Sequence, residues 1–242
     1  MNWLIGTSGW SYKNWDKEFY PKGVKGVDKI RHYSQHFNAV EINASFYNHI
    51  ESSTYEKWAA LVPENFEFVV KLHRYVTQMK KLKADDKLRE SLDKFFESIQ
   101  GLGKNCGPIL IQLPPSLKKD LDKLGNFLEL LPNEYRYAME FRHASWFDQE
   151  TEDLLHKHRT ALIISHSPKW PMHITSTTDF IYLRFHGKEV LFVSAYEEND
   201  MKSWGKELNK LAGNTERGYI FYNNTDQGHA ITNANQIKKY LE

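Results

Sequence analysis

Cysteine is nearly absent. Cys106 stands alone in 242 residues, which excludes an intrachain disulfide and any cysteine-rich metal site. An excess of one charge is also missing. Lys+Arg number 32 and Asp+Glu 31, for a formal net charge of +1, so the surface as a whole is not drawn to a nucleic-acid backbone; a local basic pocket is still compatible with that balance. No run of about 18 apolar residues occurs, which excludes a membrane-spanning helix. The first residues, MNWLIGTSGW, carry no basic segment leading into an apolar core, so they do not read as a secretory leader, and a cytoplasmic protein is expected. Pro-, Gly- or Ser-rich linkers and low-complexity stretches are missing too. KKLKADDKLRE (80–90) mixes its signs and runs into an apolar periodic pattern, as the solvated start of a helix does. With 40% hydrophobic and 26% charged residues the chain can fill one large core, and a single domain over 1–242 is expected.

What is present is a series of short apolar runs: WLIGTSG (3–9), NAVEINAS (38–45), FEFVVKLH (66–73), GPILIQLP (107–114), YAMEFRH (137–143), TALIISH (160–166), FIYLRFHG (180–187) and GYIFYNNT (218–225). Each is strand-length and rich in β-branched or aromatic residues. Between most of them the apolar spacing is helical: 28–37, 52–61, 85–102, 120–131, 148–158, 197–211 and 230–241. Several of these segments open on Ser or Asp, suited to capping a helix start. Only the connection between the sixth and seventh strands, SPKWPMHITSTTD (167–179), lacks a helical pattern. Eight strands alternating with helices in this length predict an α/β fold, a single (β/α)8 TIM-type barrel. The rival, a doubly wound sheet, usually carries fewer strands and a glycine-rich turn after the first; GTSGW (6–10) lacks the G-x-G-x-x-G spacing.

Side chains alternate faces along a strand. Placing the apolar parity against the helices aims the polar parity inward. This predicts a ring of Glu41, Asn43, Lys71, His73, Gln112, Glu140, Arg142, His166, Arg184 and His186, with one of Asn223 and Asn224 added by the eighth strand. These residues fall in the second halves of their strands, the end where barrel enzymes build their sites. So many buried charges must pair with one another or bind something. A self-satisfied network is one outcome and a ligand site at the mouth is the other.

GTSGWSY (6–12), FNAVEINASFY (37–47), KLHR (71–74), QLPPS (112–116), EFRHASWF (140–147), DFIYLRFHG (179–187) and YNN (222–224), in this order along nearly the whole chain, resemble the YecE-like family, domain of unknown function number seventy-two. The resemblance implies a (β/α)8 barrel and carries no established activity. Ala44 stands where the family pattern more usually has Ser, and His166 where it often has an acidic residue.

Three chemistries fit such a ring. Glu41, His73, Glu140, His166 and His186 are candidate ligands for a divalent metal, but no H-x-x-x-H or H-x-H pair occurs and Lys71, Arg142 and Arg184 would repel the ion; no metal and no cofactor is firmly implied. An anion pocket fits better, because three fixed cations facing one cavity suit a phosphate or carboxylate. The start of the last helix, with Thr225 or Asp226 as N-cap and Gly187 and Gly228 allowing close backbone approach, would add to it. Acid–base work is the third component. Glu140 and Glu41 are then bases or orienting groups, His73 and His186 acids, and Lys71, Arg142, Arg184, Asn43, Gln112, Asn224, Trp10 and Tyr12 hold the substrate. A Schiff-base role for Lys71 is conceivable, since neighbouring cations would lower its pKa while the carboxylates would raise it. The expectation is an enzyme acting on a small phosphorylated or carboxylated metabolite. A non-catalytic binding protein using the same pocket, and a metal-dependent phosphodiesterase or nuclease-like barrel, are the alternatives. Ser8, Ser11 and Ser45 sit in no G-x-S-x-G elbow, and Cys106, at the bottom of the fourth strand, reads as structural.

Overall fold

The structure is a computed structural model that describes residues 1–16, 18–213 and 215–241. Its parallel strands are β1 (Asn2–Thr7), β2 (Ala39–Ile42), β3 (Glu67–Lys71), β4 (Cys106–Gln112), β5 (Tyr137–Glu140), β6 (Thr160–Leu162), β7 (Ile164–His166), β8 (Phe180–Phe185) and β9 (Arg217–Tyr222). The helices are α1 (Asp28–Tyr33), α2 (Ala44–Tyr47), α3 (Ser52–Ala59), α4 (Asp86–Ile99), α5 (Leu121–Leu128), α6 (Gln149–Lys157), α7 (Glu198–Ala212) and α8 (His229–Ile237). This is the α/β barrel of TIM type that the strand–helix alternation predicts, with its sixth strand split into β6 and β7 at Ile163. The connection from β7 to β8 carries no helix, as its sequence implies.

The hydrogen-bonded ladder does not run unbroken round the barrel. It falls into two sheets, β1-β9-β8-β7 and β2-β3-β4-β5-β6, and side chains mend the two seams. At the first, Asn38 accepts from Ile5 N (2.7 Å) and donates to Trp3 O (2.9 Å), and the Tyr33 hydroxyl accepts from Thr7 N (2.8 Å). Gly6 is required there, because a Cβ would lie 1.9 Å from Ala39 O. Toward the top the ladder resumes, with Gly9 N donating to Glu41 O (2.8 Å). At the second seam Thr177 accepts from Leu162 N (2.9 Å) and donates to Thr160 O (2.7 Å). These groups satisfy backbone that would otherwise be buried unpaired at about 1–3 kcal/mol each.

The outer core lies between strands and helices. In α4, Leu88, Leu92, Phe95, Phe96 and Ile99 recur at helical spacing and are buried. Aspartate caps start three helices: Asp85, Asp120 and Asp148 each accept from the backbone N–H three residues on, at 3.0 Å, worth about 1 kcal/mol apiece. The inner core fills the barrel with residues of the opposite parity, among them Leu4, Val69, Leu110, Ile163, Tyr182 and Phe221. Below it the bottom is closed by a cluster that sequence reasoning missed: Glu67 accepts from Arg136 (2.8 Å), Arg217 (2.5 Å) and Tyr219 (2.7 Å). With the bottom closed by ions and the middle by apolar side chains, the barrel interior opens at the strand C-termini.

Candidate active site

The top layer follows from strand parity. Glu41, Lys71, Gln112, Glu140 and Arg184 continue the inward-facing positions of β2, β3, β4, β5 and β8, and His186 and Arg142 extend the same parity just past the strand ends. Ser165 fills the place of β7.

Arg184 lies at the centre of this layer, 1% exposed. Its Nε and Nη2 each donate to one oxygen of Glu41 at 2.8 Å, and its Nη1 donates to Glu140 Oε2. Glu41 also accepts from the Ser8 hydroxyl (2.5 Å) and Tyr182 hydroxyl (2.7 Å). Glu140 accepts from Arg142 Nε (3.0 Å) and, at 3.4 Å, from Ser165. Burial pushes both carboxyls up, but Arg184 outweighs it and holds Glu41 below, and Glu140 well below, the usual carboxylate range. Burial would lower the Arg184 pKa; the two carboxylates raise it instead. All three groups are therefore ionised.

His186 is fully buried beside them. Asn223 Nδ2, which can only donate, lies 3.1 Å from His186 Nδ1. With Asn223 donating to Nδ1, the ring's proton is on Nε2, which lies 3.5 Å from Glu140 Oε1. Burial, then Arg184, lower the imidazole pKa to about 4, so His186 is neutral at pH 7.

Above this floor opens a cavity of about 890 Å³. Four cationic side chains line it, Lys71, Arg74, Arg142 and Lys169, and no Asp or Glu is among its lining residues. Lys71 Nζ donates to Gln112 Oε1 at 2.8 Å and lies 4.1 Å from the centre of the Phe46 ring. It takes no part in the ion pairs of Glu41 and Glu140, which Arg184 and Arg142 occupy. Burial, then Arg184, lower its pKa to about 7. Arg142 Nη2 donates to the same Gln112 Oε1 at 2.8 Å, and its guanidinium stacks 3.6 Å over Trp170. Asn43 Oδ1 and Trp170 Nε1, in the cavity wall, are buried without a hydrogen-bond partner among the described residues. Tyr12 also lines the cavity; its hydroxyl donates to Ser8 O, and burial raises its pKa.

The structure thus gathers Glu41, Lys71, Gln112, Glu140, Arg142, Arg184 and His186 as the parity reading expects, with Asn43 and Tyr12 at the rim. It also corrects that reading. Glu41, Glu140, Arg184 and His186 form the floor beneath the cavity and do not line it. His73, two residues past the end of β3, turns away into a second cavity of about 470 Å³ that shares only Tyr47, Arg74 and Met79 with the mouth. His166 faces outward, its Nδ1 2.7 Å from the Tyr196 hydroxyl. The inward residue of the eighth strand is Asn223; Asn224 is buried on the other side, donating to Ser194 O (3.1 Å) and Asn233 Oδ1 (3.0 Å). Trp10 packs edge-on against Trp58 at 5.0 Å. Neither Thr225 nor Asp226 caps α8, whose N-cap is Gly228 in the left-handed conformation. Sequence reasoning missed Arg74 and Lys169 as lining residues, and of the pair Asn223 and Asn224 it gave the substrate to Asn224, whereas Asn223 lines the cavity. Among the described residues no three His, Cys, Asp or Glu side chains converge in a way that could hold a metal ion, and no helix is long and apolar enough to cross a membrane.

Fold and site together define a TIM-type barrel with an ion-paired floor under a basic mouth. The chain belongs to the family described as protein of unknown function DUF72, whose model matches residues 4–242. It is 26% identical over 269 aligned residues to the UPF0759 protein YunF of Bacillus subtilis, a match covering 98% of this chain and 94% of that one. It is 27% identical over 150 residues to the UPF0759 protein YecE of Escherichia coli, covering 62% of this chain and 52% of that protein. The solved structure of a DUF72 family protein from Thermotoga maritima superposes with a TM-score of 0.87 at 28% identity, over 99% of this chain and 98% of that one.

Proposed function

We propose that the barrel mouth binds a small anionic metabolite, phosphorylated or carboxylated, and transforms it by acid–base chemistry. The observation that carries this reading is the sign of the cavity wall: Lys71, Arg74, Arg142 and Lys169 line it and no carboxylate does. The buried acids Glu41 and Glu140 are saturated by Arg184 and Arg142, so their role is to fix the cations rather than to carry protons. Arg142, held by Gln112, Glu140 and Trp170, is the pre-organised anion contact. Lys71, half protonated near neutral pH, is the group at the mouth best matched to giving or taking a proton.

Thermal shift with inorganic phosphate and sulfate tests the binding half. Wild type gains stability with either anion at fixed ionic strength, and Arg142→Ala and Lys169→Ala lose most of that gain. Equal shifts in wild type and variants would overturn the anion site. A metabolite-extract screen separates turnover from binding: consumption of a compound supports an enzyme, and a thermal shift without consumption supports a binding protein.

A further inference from the structure

We propose that Lys71 is a covalent nucleophile, and that the anionic metabolite it meets is a carbonyl compound, a keto acid or a sugar phosphate with a free carbonyl, which it captures as an imine. This rests on the anion-site reading above and deepens it.

Among the described residues, the geometry sets Lys71 apart from the other buried cations, Lys29 and Arg184, which are ion-paired. Arg184 and Arg142 on the top layer are ion-paired to Glu140, and Arg184 to Glu41 as well. Lys71, 8% exposed, sits in that layer beside two carboxylates, yet pairs with neither. Its one hydrogen bond is to a neutral amide oxygen, Gln112 Oε1, and the Phe46 ring faces it. With no carboxylate partner, the buried amine has the Gln112 oxygen and the Phe46 ring face to set against its desolvation. Burial and the neighbouring guanidinium of Arg184 bring its pKa to about 7, so a large fraction carries a free lone pair at neutral pH. Desolvation and an adjacent cation are the two devices that activate a lysine amine as a nucleophile. The second requirement is a way to hold the electrophile. Arg142 shares the Gln112 Oε1 acceptor with Lys71, so a carboxylate or phosphate bound on Arg142 brings the neighbouring carbonyl toward Nζ.

The step balances without an oxidant or reductant. The Nζ lone pair adds to the carbonyl carbon, the C=O π pair moves to oxygen, the oxygen takes a proton and Nζ gives one up. The resulting carbinolamine loses its hydroxyl, protonated, as water while the nitrogen pair forms C=N, and the last Nζ proton leaves if the imine is neutral. Amine plus carbonyl gives imine plus water.

The test is reductive trapping on the intact chain, read by peptide mass mapping. Formaldehyde with cyanoborohydride at pH 7 comes first, because so small a probe enters regardless of the natural ligand's shape. Lys71 is expected to be methylated on the order of tenfold or more faster than the exposed lysines, and excess inorganic phosphate slows that reaction at Lys71 alone. Pyruvate and dihydroxyacetone phosphate are then trapped with the same reagent. A single adduct on Lys71, absent in Lys71→Arg, supports the proposal. Methylation of Lys71 no faster than that of exposed lysines overturns it, and so do adducts spread over surface lysines alike in wild type and Lys71→Arg. Phosphate stabilisation with an unreactive Lys71 leaves the anion site standing and removes the imine; a reactive Lys71 without phosphate stabilisation supports the nucleophile and removes the anion site.

Discussion

Lys71 and Arg142 share one acceptor: each donates to Gln112 Oε1 at 2.8 Å. One neutral oxygen from β4 therefore positions two cations from β3 and from the end of β5. Gln112→Leu is expected to leave both donors unpaired, cost about 1–3 kcal/mol of stability and weaken phosphate binding on the order of tenfold. Urea denaturation and calorimetric titration with inorganic phosphate measure the two effects.

Arg184 behaves differently, because its three bonds to Glu41 and Glu140 all lie beneath the cavity. Arg184→Met strands the buried Glu41 carboxylate and leaves Glu140 to Arg142. The expected cost is about 3–5 kcal/mol in urea denaturation at pH 7, with part of the loss recovered at acid pH as Glu41 takes up a proton. A variant as stable as wild type would mean that Arg184 is not the keystone of the floor.

At Lys71 the structure gives up stability. The pKa falls from 10.5 to about 7 in the fold, so between those values the unfolded chain binds more protons than the native one. Stability then rises with pH from about 7 toward about 10, and the full penalty applies below about 7. Lys71→Met is expected to gain on the order of 1–3 kcal/mol at pH 7 and to flatten that slope, measured by urea denaturation at several pH values. A stabilising substitution that abolishes binding is the signature of a functional residue.

His186 governs the acid side. Its pKa drops from 6.5 to about 4, so again the unfolded chain binds more protons in the window between. Here stability is full above about 6.5 and is lost as pH falls toward about 4, by up to about 3 kcal/mol. Glu41 and Glu140, held below the usual carboxylate range, extend the loss to lower pH. His186→Gln is expected to flatten the 6.5-to-4 limb in urea denaturation and leave the more acidic one.

Much of this site was legible because a strand has period two. Glu41, Lys71, Gln112, Glu140 and Arg184 alternate with apolar neighbours, and the alternation survives folding. Parity fails where the strand ends or where nothing alternates. His73 lies beyond Lys71, the last residue of β3, so the chain has already turned. TALIISH is apolar on both faces, so nothing alternates to correct the placing of His166 in the inward ring; the pairing of Ser165 with Arg184 gives that place to Ser165. The adjacent Asn223 and Asn224 are chemically identical, and only the register of β9 on β8 selects the first. Arg74, Lys169 and Trp170 come from loops after β3 and β7, where no periodicity reports direction. Glu67 had the inward parity all along, but it lies at the opposite end from the mouth and answers to Arg136 and Arg217.

The most direct test of the basic mouth is a crystal of the protein soaked in an anion with a strong anomalous signal, such as tungstate, near neutral pH. The account predicts an anomalous peak in the cavity against Arg142 and Lys71, absent from Arg142→Ala crystals soaked the same way. A wild-type mouth without a peak, while the anion occupies sites elsewhere on the surface, would contradict it.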